Sequence, residues 1–342
     1  MAFSSFHFVP HSLSLLSLLF LFSLLLPSTI LPASTHCHPD DKKALLSIKK
    51  SLNNPNTLSS WNPTTDCCTW EHVTCDSNSN YRIMELLIYD ISVNGPIPSA
   101  VGDLPYLDSL QFGWVKNLTG PIPYSLTKLP RLRFLRINNS PLSTSIPDFL
   151  GHIQSLKYLE LDQNQLYGPI PASLSNLSKL RDLDLSRNKL TGSIPVSFGS
   201  FTSNLYRLAL YENQLSGEIP KSLGRLLDCE TFELSGNKLV GDASMLFKQN
   251  GKATFIDLSN NLLDFDLSKV RFPKNLTYLD LSRNRIRGSI PKQATKMKWK
   301  KLNLSYNQLC GKIPQGGQLQ LFSAASFAHN QCLCGPPLSK CK

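Results

Sequence analysis

Hydrophobic residues recur along this chain in a fixed frame. Residues 156–177 read LKYLELDQNQLYGPIPASLSNL, with apolar side chains at Leu156, Leu159, Leu161, Leu166, Ile170, Leu174 and Leu177. Asn164 and Gly168 hold set places among them. The next stretch repeats the frame with Leu180, Leu183, Leu185, Leu190, Ile194, Phe198 and Phe201, again around an Asn (Asn188) and a Gly (Gly192). The segment x-x-L-x-L-x-x alternates with period two, so it predicts a short strand with leucines on one side and variable residues on the other. One such strand cannot bury its leucines alone. Stacked copies can, as a parallel sheet over a shared core.

Extending the frame in both directions gives ten repeats. They start at Ile83, Leu107, Leu132, Leu156, Leu180, Leu205, Cys229, Ala253, Leu276 and Trp299, in steps of 23 to 25 residues. The form L-x-x-L-x-L-x-x-N-x-L-x-G-x-I-P at this period is that of a leucine-rich repeat. The expected fold is an α/β solenoid: a right-handed superhelix of about ten 24-residue plant-type repeats between disulfide-bonded caps. The repeated Asn leaves the strand at a turn, where its amide can satisfy backbone groups of neighbouring coils. The Gly permits a backbone conformation closed to other residues. The Pro of I-P lacks a donor and suits an extended outer edge. Repeat three carries Thr144 in the Gly position, and repeat eight has no I-P.

The ends differ from the middle. Leu13 to Leu26 is a 14-residue apolar run followed by Ala33, Ser34 and Thr35. That is short for a membrane span and predicts a signal peptide over 1–35, cleaved before His36. An uncleaved anchor is the alternative, and the leader does lack Lys and Arg. No second apolar run of 18 or more residues occurs, so the mature chain is expected to be soluble, exported and monomeric. The expected layout is an N-terminal cysteine cap over 36–82, repeats over 83–314 and a C-terminal cap over 315–342. In the first cap, 40–52 reads as a helix with Leu45, Ile48 and Leu52 on one face. Trp61, Trp70 and Val73 are its expected core.

Nine cysteines fit an oxidising compartment. Cys37, Cys67, Cys68 and Cys75 lie in the first cap, and Cys310, Cys332, Cys334 and Cys341 in the last. Two bridges in each cap are expected, none of them between neighbours Cys67 and Cys68. Zinc is the rival reading of such clusters, and export favours disulfides. Cys229 occupies a leucine position and is expected to be buried and reduced. Sequons occur at Asn117, Asn138, Asn176, Asn275 and Asn303. The sequence offers no G-x-S-x-G, H-E-x-x-H or P-loop spacing, so neither catalysis nor a metal or other cofactor is expected.

The variable strand residues define the informative surface, expected to be concave. The middle position runs Leu87, Gln111, Arg136, Glu160, Asp184, Ala209, Glu233, Asp257, Asp280, Asn303. Arg133, Phe134, Lys157, Tyr158, Asp162, Arg181, Arg207 and Tyr211 flank it in repeats three to six. Aromatics interleaved with both charge signs are what protein interfaces concentrate. A merely solvated face is the plainer alternative, above all for the L-D-L-S aspartates. These residues, with Glu233, form the candidate partner-binding strip. The net charge is +11, and basic residues crowd late, including Arg283, Arg285, Arg287, Lys298, Lys300 and Lys301. In an exported protein such a crowd suits acidic polysaccharide or an acidic membrane surface rather than nucleic acid, with a solvated face that binds nothing as the plainer alternative.

Several stretches go beyond the repeat consensus: 41–50 (DKKALLSIKK), Asp66-Cys67-Cys68, 102–107 (GDLPYL), 147–150 (PDFL), Gly241-Asp242-Ala243-Ser244, 310–317 (CGKIPQGG) and 332–335 (CLCG). Along nearly its whole mature length the chain resembles plant polygalacturonase-inhibiting proteins in these motifs. The resemblance implies a secreted, cell-wall defence protein that binds fungal, and sometimes insect, endopolygalacturonases through the concave face. It implies slower pectin breakdown and longer oligogalacturonides that elicit defence. It also implies pectin binding through basic residues. Similar proteins that inhibit nothing known include floral repeat proteins and an ice-binding branch. Ice binding, or ligand sensing alongside a separate receptor, is therefore the alternative function.

Overall fold

The computed structural model of the protein describes residues 37–201 and 205–341. The expected signal segment 1–35 and the cleavage before His36 lie outside the described residues. Each repeat contributes one strand to a single long sheet, from Arg82–Tyr89 in repeat one to Lys301–Asn303 in repeat ten. Those ten strands are parallel and pair in chain order. The cap strand Val73–Asp76 closes the first edge by pairing antiparallel with Arg82–Tyr89. The leucines behind the strands are buried, with Leu159, Leu161, Leu183 and Leu185 all at 0% exposure.

The far side of most coils is built by the I-P element. Pro171 is the extended N-cap (φ −63°, ψ 129°) of the 3-10 turn Ala172–Asn176. Its carbonyl accepts from the Leu174 amide at 3.3 Å. Pro98, Pro123, Pro147, Pro195, Pro220 and Pro291 do the same in their coils. The missing amide of Pro costs nothing at such a position. Short strands such as Tyr167–Pro169 and Lys189–Thr191 pair into smaller second sheets. Gly168 lies within the first of these strands and Gly192 directly follows the second, and their φ values of 78° and 76° favour glycine. At repeat three, with Thr144, this second layer is reduced to an isolated Ser145–Tyr167 bridge. The helical part of most coils is thus a single 3-10 turn. The α-helix Pro39–Ser51 belongs to the cap.

An asparagine ladder joins the coils. Asn188 Nδ2 donates to Leu161 O of the preceding coil at 2.9 Å and to its own Leu185 and Ser186 carbonyls. Its Oδ1 accepts from Leu166 N at 3.0 Å. Asn213, Asn237, Asn261, Asn284 and Asn307 repeat the pattern. Ser140 stands in for Asn in repeat three, accepting from Val115 N at 3.1 Å. The ladder runs past position 314: Asn330 accepts from Leu309 N and donates to Leu304 O, each at 3.0 Å. The C-terminal cap therefore continues the coil pattern before closing it.

The cysteines pair as Cys37–Cys67, Cys68–Cys75, Cys310–Cys332 and Cys334–Cys341. Cys229 is buried and unpaired, and burial pushes its thiol well above the ordinary range. In the N-terminal cap Trp61 and Trp70 stack at 5.7 Å, while Val73 is only half-buried. Asp41, fully buried, receives Arg82 Nη2 at 2.6 Å and the Ile83 amide at 2.8 Å, which ties the cap to the first repeat.

Candidate partner-binding face

Parallel pairing in register turns each variable strand position into a column. The middle column follows the order read from the sequence, Gln111 opposite Arg136, then Glu160, Asp184, Ala209, Glu233 and Asp257. Beside it runs Phe134, Tyr158, Asp182, Arg207, Thr231, Phe255, Tyr278 and Lys301. Adjacent members sit about 4.8 Å apart along the hydrogen-bonding direction. At that spacing a long side chain covers its short neighbours.

This crowding corrects the expectation that every variable strand residue belongs to the surface. Asp162 and Asp184 are buried at 9% and 7% exposure, and Asp182 at 6%. Asp184 Oδ1 is occupied by Ser186, accepting from its amide at 2.9 Å and its hydroxyl at 2.5 Å. Asp257 and Asp280 make the same turn with Ser259 and Ser282, so the L-D-L-S aspartates brace their own coils. Ala209, also in the middle column, is fully buried.

Arg207 is the hub of the strip. Its guanidinium reaches Asp184 at 2.8 Å, Glu233 at 2.9 Å and Asp182 at 3.3 Å. Burial pulls its basicity down, but Asp184, Glu233 and Asp182 outweigh that and raise it. The same burial raises the carboxyls of Asp182, Glu233, Glu160, Asp162 and Asp257 above the ordinary carboxylate range. Tyr206 donates to Asp182 at 3.1 Å, and its hydroxyl is pushed up to about 12, first by burial and then by that carboxylate. Arg136 Nε pairs with Glu160 at 2.7 Å and lies 5.1 Å from the Phe134 ring centre. Arg133 pairs with Asp108. Tyr211 sits 5.5 Å under Arg187, which pairs with Glu212.

Lys157 and Arg181 make no ion pair among the described residues. Together with Arg133, Phe134, Tyr158, Gln111, Ser109, Asp108 and Glu85 they line a cleft of about 360 Å³. A second groove of about 340 Å³ adjoins it, lined by Arg131, Arg133, Lys157, Lys179, Asp108, Pro130 and Ser155. Arg131 and Lys179 were missed as site residues, although the triplets Arg131-Leu132-Arg133 and Lys179-Leu180-Arg181 recur in the repeat frame around Ser155-Leu156-Lys157.

The late basic crowd is divided. Arg287 lies in the second-layer strand Arg287–Gly288 and pairs with Asp264 at 2.5 Å, with Arg285 just before it. Arg283 occupies a turn with its guanidinium 4.5 Å from the Tyr306 ring centre. Lys301 lies in the long sheet, bound to Tyr278 Oη at 2.7 Å and Asp280 at 3.2 Å. Lys300 and Lys301 line a cleft against the C-terminal cap, and Lys298 is exposed before Trp299. Neighbours in sequence are thus assigned to different layers.

Among the sequons, Asn117, Asn176 and Asn275 are exposed. Asn138 differs from them: it is 8% exposed at the end of its strand, beside Gly113 of the neighbouring strand. Asn303 is half-buried, with Oδ1 accepting from Ser305 and Nδ2 3.3 Å from Asp280.

The family comparisons agree with this architecture. Residues 38–76 match the leucine rich repeat N-terminal domain, 130–190 a leucine rich repeat model, and 204–226, 275–297 and 298–318 a second such model. A polygalacturonase inhibitor of Pyrus communis is 53% identical over 94% of this chain and 97% of its own. Leucine-rich repeat protein FLOR 1 of Arabidopsis thaliana is 51% identical over 91% of this chain and 95% of its own. Among solved structures, a plant ice-binding protein superposes with a TM-score of 0.86 at 44% identity, covering 90% of this chain and 99% of that one. Polygalacturonase inhibitors of Arabidopsis thaliana and Vitis vinifera match at 50–52% identity over 90% or more of the chain. The chain belongs to the plant polygalacturonase-inhibitor family of leucine-rich-repeat proteins.

Proposed function

We propose that this protein is an exported, cell-wall-associated inhibitor of fungal endopolygalacturonases, acting as a binder and not as a catalyst. The observation that carries the reading is the cleft of repeats one to five, joined to relatives named for this inhibition. It offers two aromatic rings, Phe134 and Tyr158, 5.4 Å apart, beside the cations Lys157 and Arg181. Half-buried aromatics beside exposed Arg133 and Arg181 suit a protein partner, and mixed charge suits a specific one. The strip is accordingly narrowed. Arg181, Lys157, Tyr158, Phe134 and Arg133 are the contact candidates, while Asp162, Asp184, Arg207 and Glu233 hold the face in shape and Arg136, Glu160 and Tyr211 border it. The test is release of reducing ends from polygalacturonate by a panel of fungal enzymes, with and without the purified protein. Undiminished release across the panel refutes inhibition.

Acidic cell-wall pectin is the second proposed ligand. The groove of Arg131, Arg133, Lys157 and Lys179 gathers four cations around one carboxylate. That favours it over the divided late residues as the polyanion contact.

Ice binding is the second functional reading, favoured by the solved relative described above. The charged, mixed columns of the long sheet lack the flat regularity that ice requires. An ice-recrystallisation assay separates the two.

A further inference from the structure

Trp114 is 53% exposed, at the turn that follows the repeat-two strand, and its indole packs against Tyr89 with ring centres 6.3 Å apart. It forms one wall of a cleft of about 420 Å³ lined by Asp90, Ser92, Lys116, Asn117, Asn139 and Pro141. An exposed indole face with carboxylate, hydroxyl and amide groups around it is the chemistry of sugar recognition. Such a ring can receive the C–H face of a pyranose, and the side chains of Asp90, Ser92 and Asn139 are of the kind that exchange hydrogen bonds with its hydroxyls. The occupant is indicated by the cleft itself, because Asn117 opens the sequon Asn117-Leu118-Thr119.

We propose that Asn117 carries an N-linked glycan whose first sugars lie on Trp114 in this cleft. The proposal rests on export and is independent of inhibition. Asn117 is exposed, with a φ of 60° that Asn tolerates well. Its Nδ2 lies 3.3 Å from Asn94 Oδ1. In the transfer, a lipid diphosphate oligosaccharide is the donor. Its sugar C1–O bond to phosphate breaks, a C1–Nδ2 bond forms, the amide gives up one proton and the lipid diphosphate leaves. The second Nδ2 hydrogen remains for Asn94, and Asn117 lines the same cleft as Trp114.

The experiment uses the full chain secreted from plant cells. Glycopeptide mass mapping reads occupancy at Asn117, and hydroxyl-radical labelling reads the reactivity of Trp114. Expected are an occupied Asn117 and Trp114 labelling severalfold slower than in Asn117→Gln. Should Asn117→Gln fail to fold, enzymatic removal of the glycan from the native protein gives the same comparison. In Trp114→Ala, the glycan is expected to stay attached but to be released severalfold faster by a glycosidase under native conditions. An unmodified Asn117 overturns the proposal, as do equal Trp114 labelling with and without glycan or an unchanged release rate in Trp114→Ala. Protection of Trp114 by an added neutral oligosaccharide, with no protection by the attached glycan, also overturns it and assigns the cleft to an external sugar.

Discussion

Replacing Arg207 with Ala tests whether the charged strip is a support or a contact surface. The substitution removes a guanidinium held at 2.8 Å by Asp184, 2.9 Å by Glu233 and 3.3 Å by Asp182. Exposed ion pairs contribute about 0.2–1 kcal/mol, whereas breaking a buried one costs about 3–5 kcal/mol. The Arg207 side chain is 24% exposed and its two aspartate partners 8% and 10%, so the loss falls between these limits. About 2–3 kcal/mol is expected at pH 7. The pH dependence adds a signature. Burial already raises Asp182 and Glu233, and losing the cation raises them further. A carboxyl with a raised folded-state pKa binds more protons folded than unfolded between its ordinary value and the raised one. Stability therefore falls as pH rises through that window, and the variant's deficit narrows on acidification. Thermal unfolding of variant and parent at pH 7 and pH 5 reads both effects. The expected result is a midpoint about 5 °C lower at pH 7 and a smaller gap at pH 5. Arg207→Lys, which keeps charge but loses the planar fork, should fall between. Equal midpoints, or a deficit that grows on acidification, would refute the reasoning.

Other outcomes follow from particular contacts. Asn213→Ala leaves the Leu190 amide and the Leu185 carbonyl without their side-chain partner and should cost about 3 kcal/mol in denaturant unfolding. Native protein should show no thiol reactive toward an aromatic disulfide reagent and a single one after denaturation without reductant, since Cys229 is the unpaired cysteine. On a polygalacturonate column, Arg131→Glu with Lys179→Glu should lower the eluting salt concentration more than Arg285→Glu with Arg287→Glu. The reverse order returns the polyanion site to the late residues. Against a polygalacturonase that the parent inhibits, Arg181→Ala or Tyr158→Ala should weaken inhibition by about 2 kcal/mol with unfolding unchanged. Asp184→Ala should instead lower the unfolding midpoint.

The solenoid was legible because its information is local and repeated. One stretch such as 156–177 sets strand, turn, proline-capped 3-10 turn and ladder asparagine, and every further copy corrects the register of the last. Where copies diverge, the structure diverges as expected from the residue, as at Thr144, where the second layer thins. The columns of the candidate face were legible for the same reason, since parallel in-register pairing places equal repeat positions side by side. Depth within the face was not. Alternation assigns Asp184 and Ala209 to the outward side, but it carries no measure of how tall their neighbours are. At about 4.8 Å between coils, Arg207 and Glu233 close over them. The opposite error arose at Arg283 to Lys301, where closeness in sequence suggested one patch. A coil of 23 to 25 residues sends successive segments to different layers, so only residues one full period apart are certain neighbours. Arg131, Ser155 and Lys179 obey that rule, as do Arg133, Lys157 and Arg181. The functional surface of such a chain is therefore read down the repeats and not along them, and its contacts are the columns whose neighbours leave them uncovered.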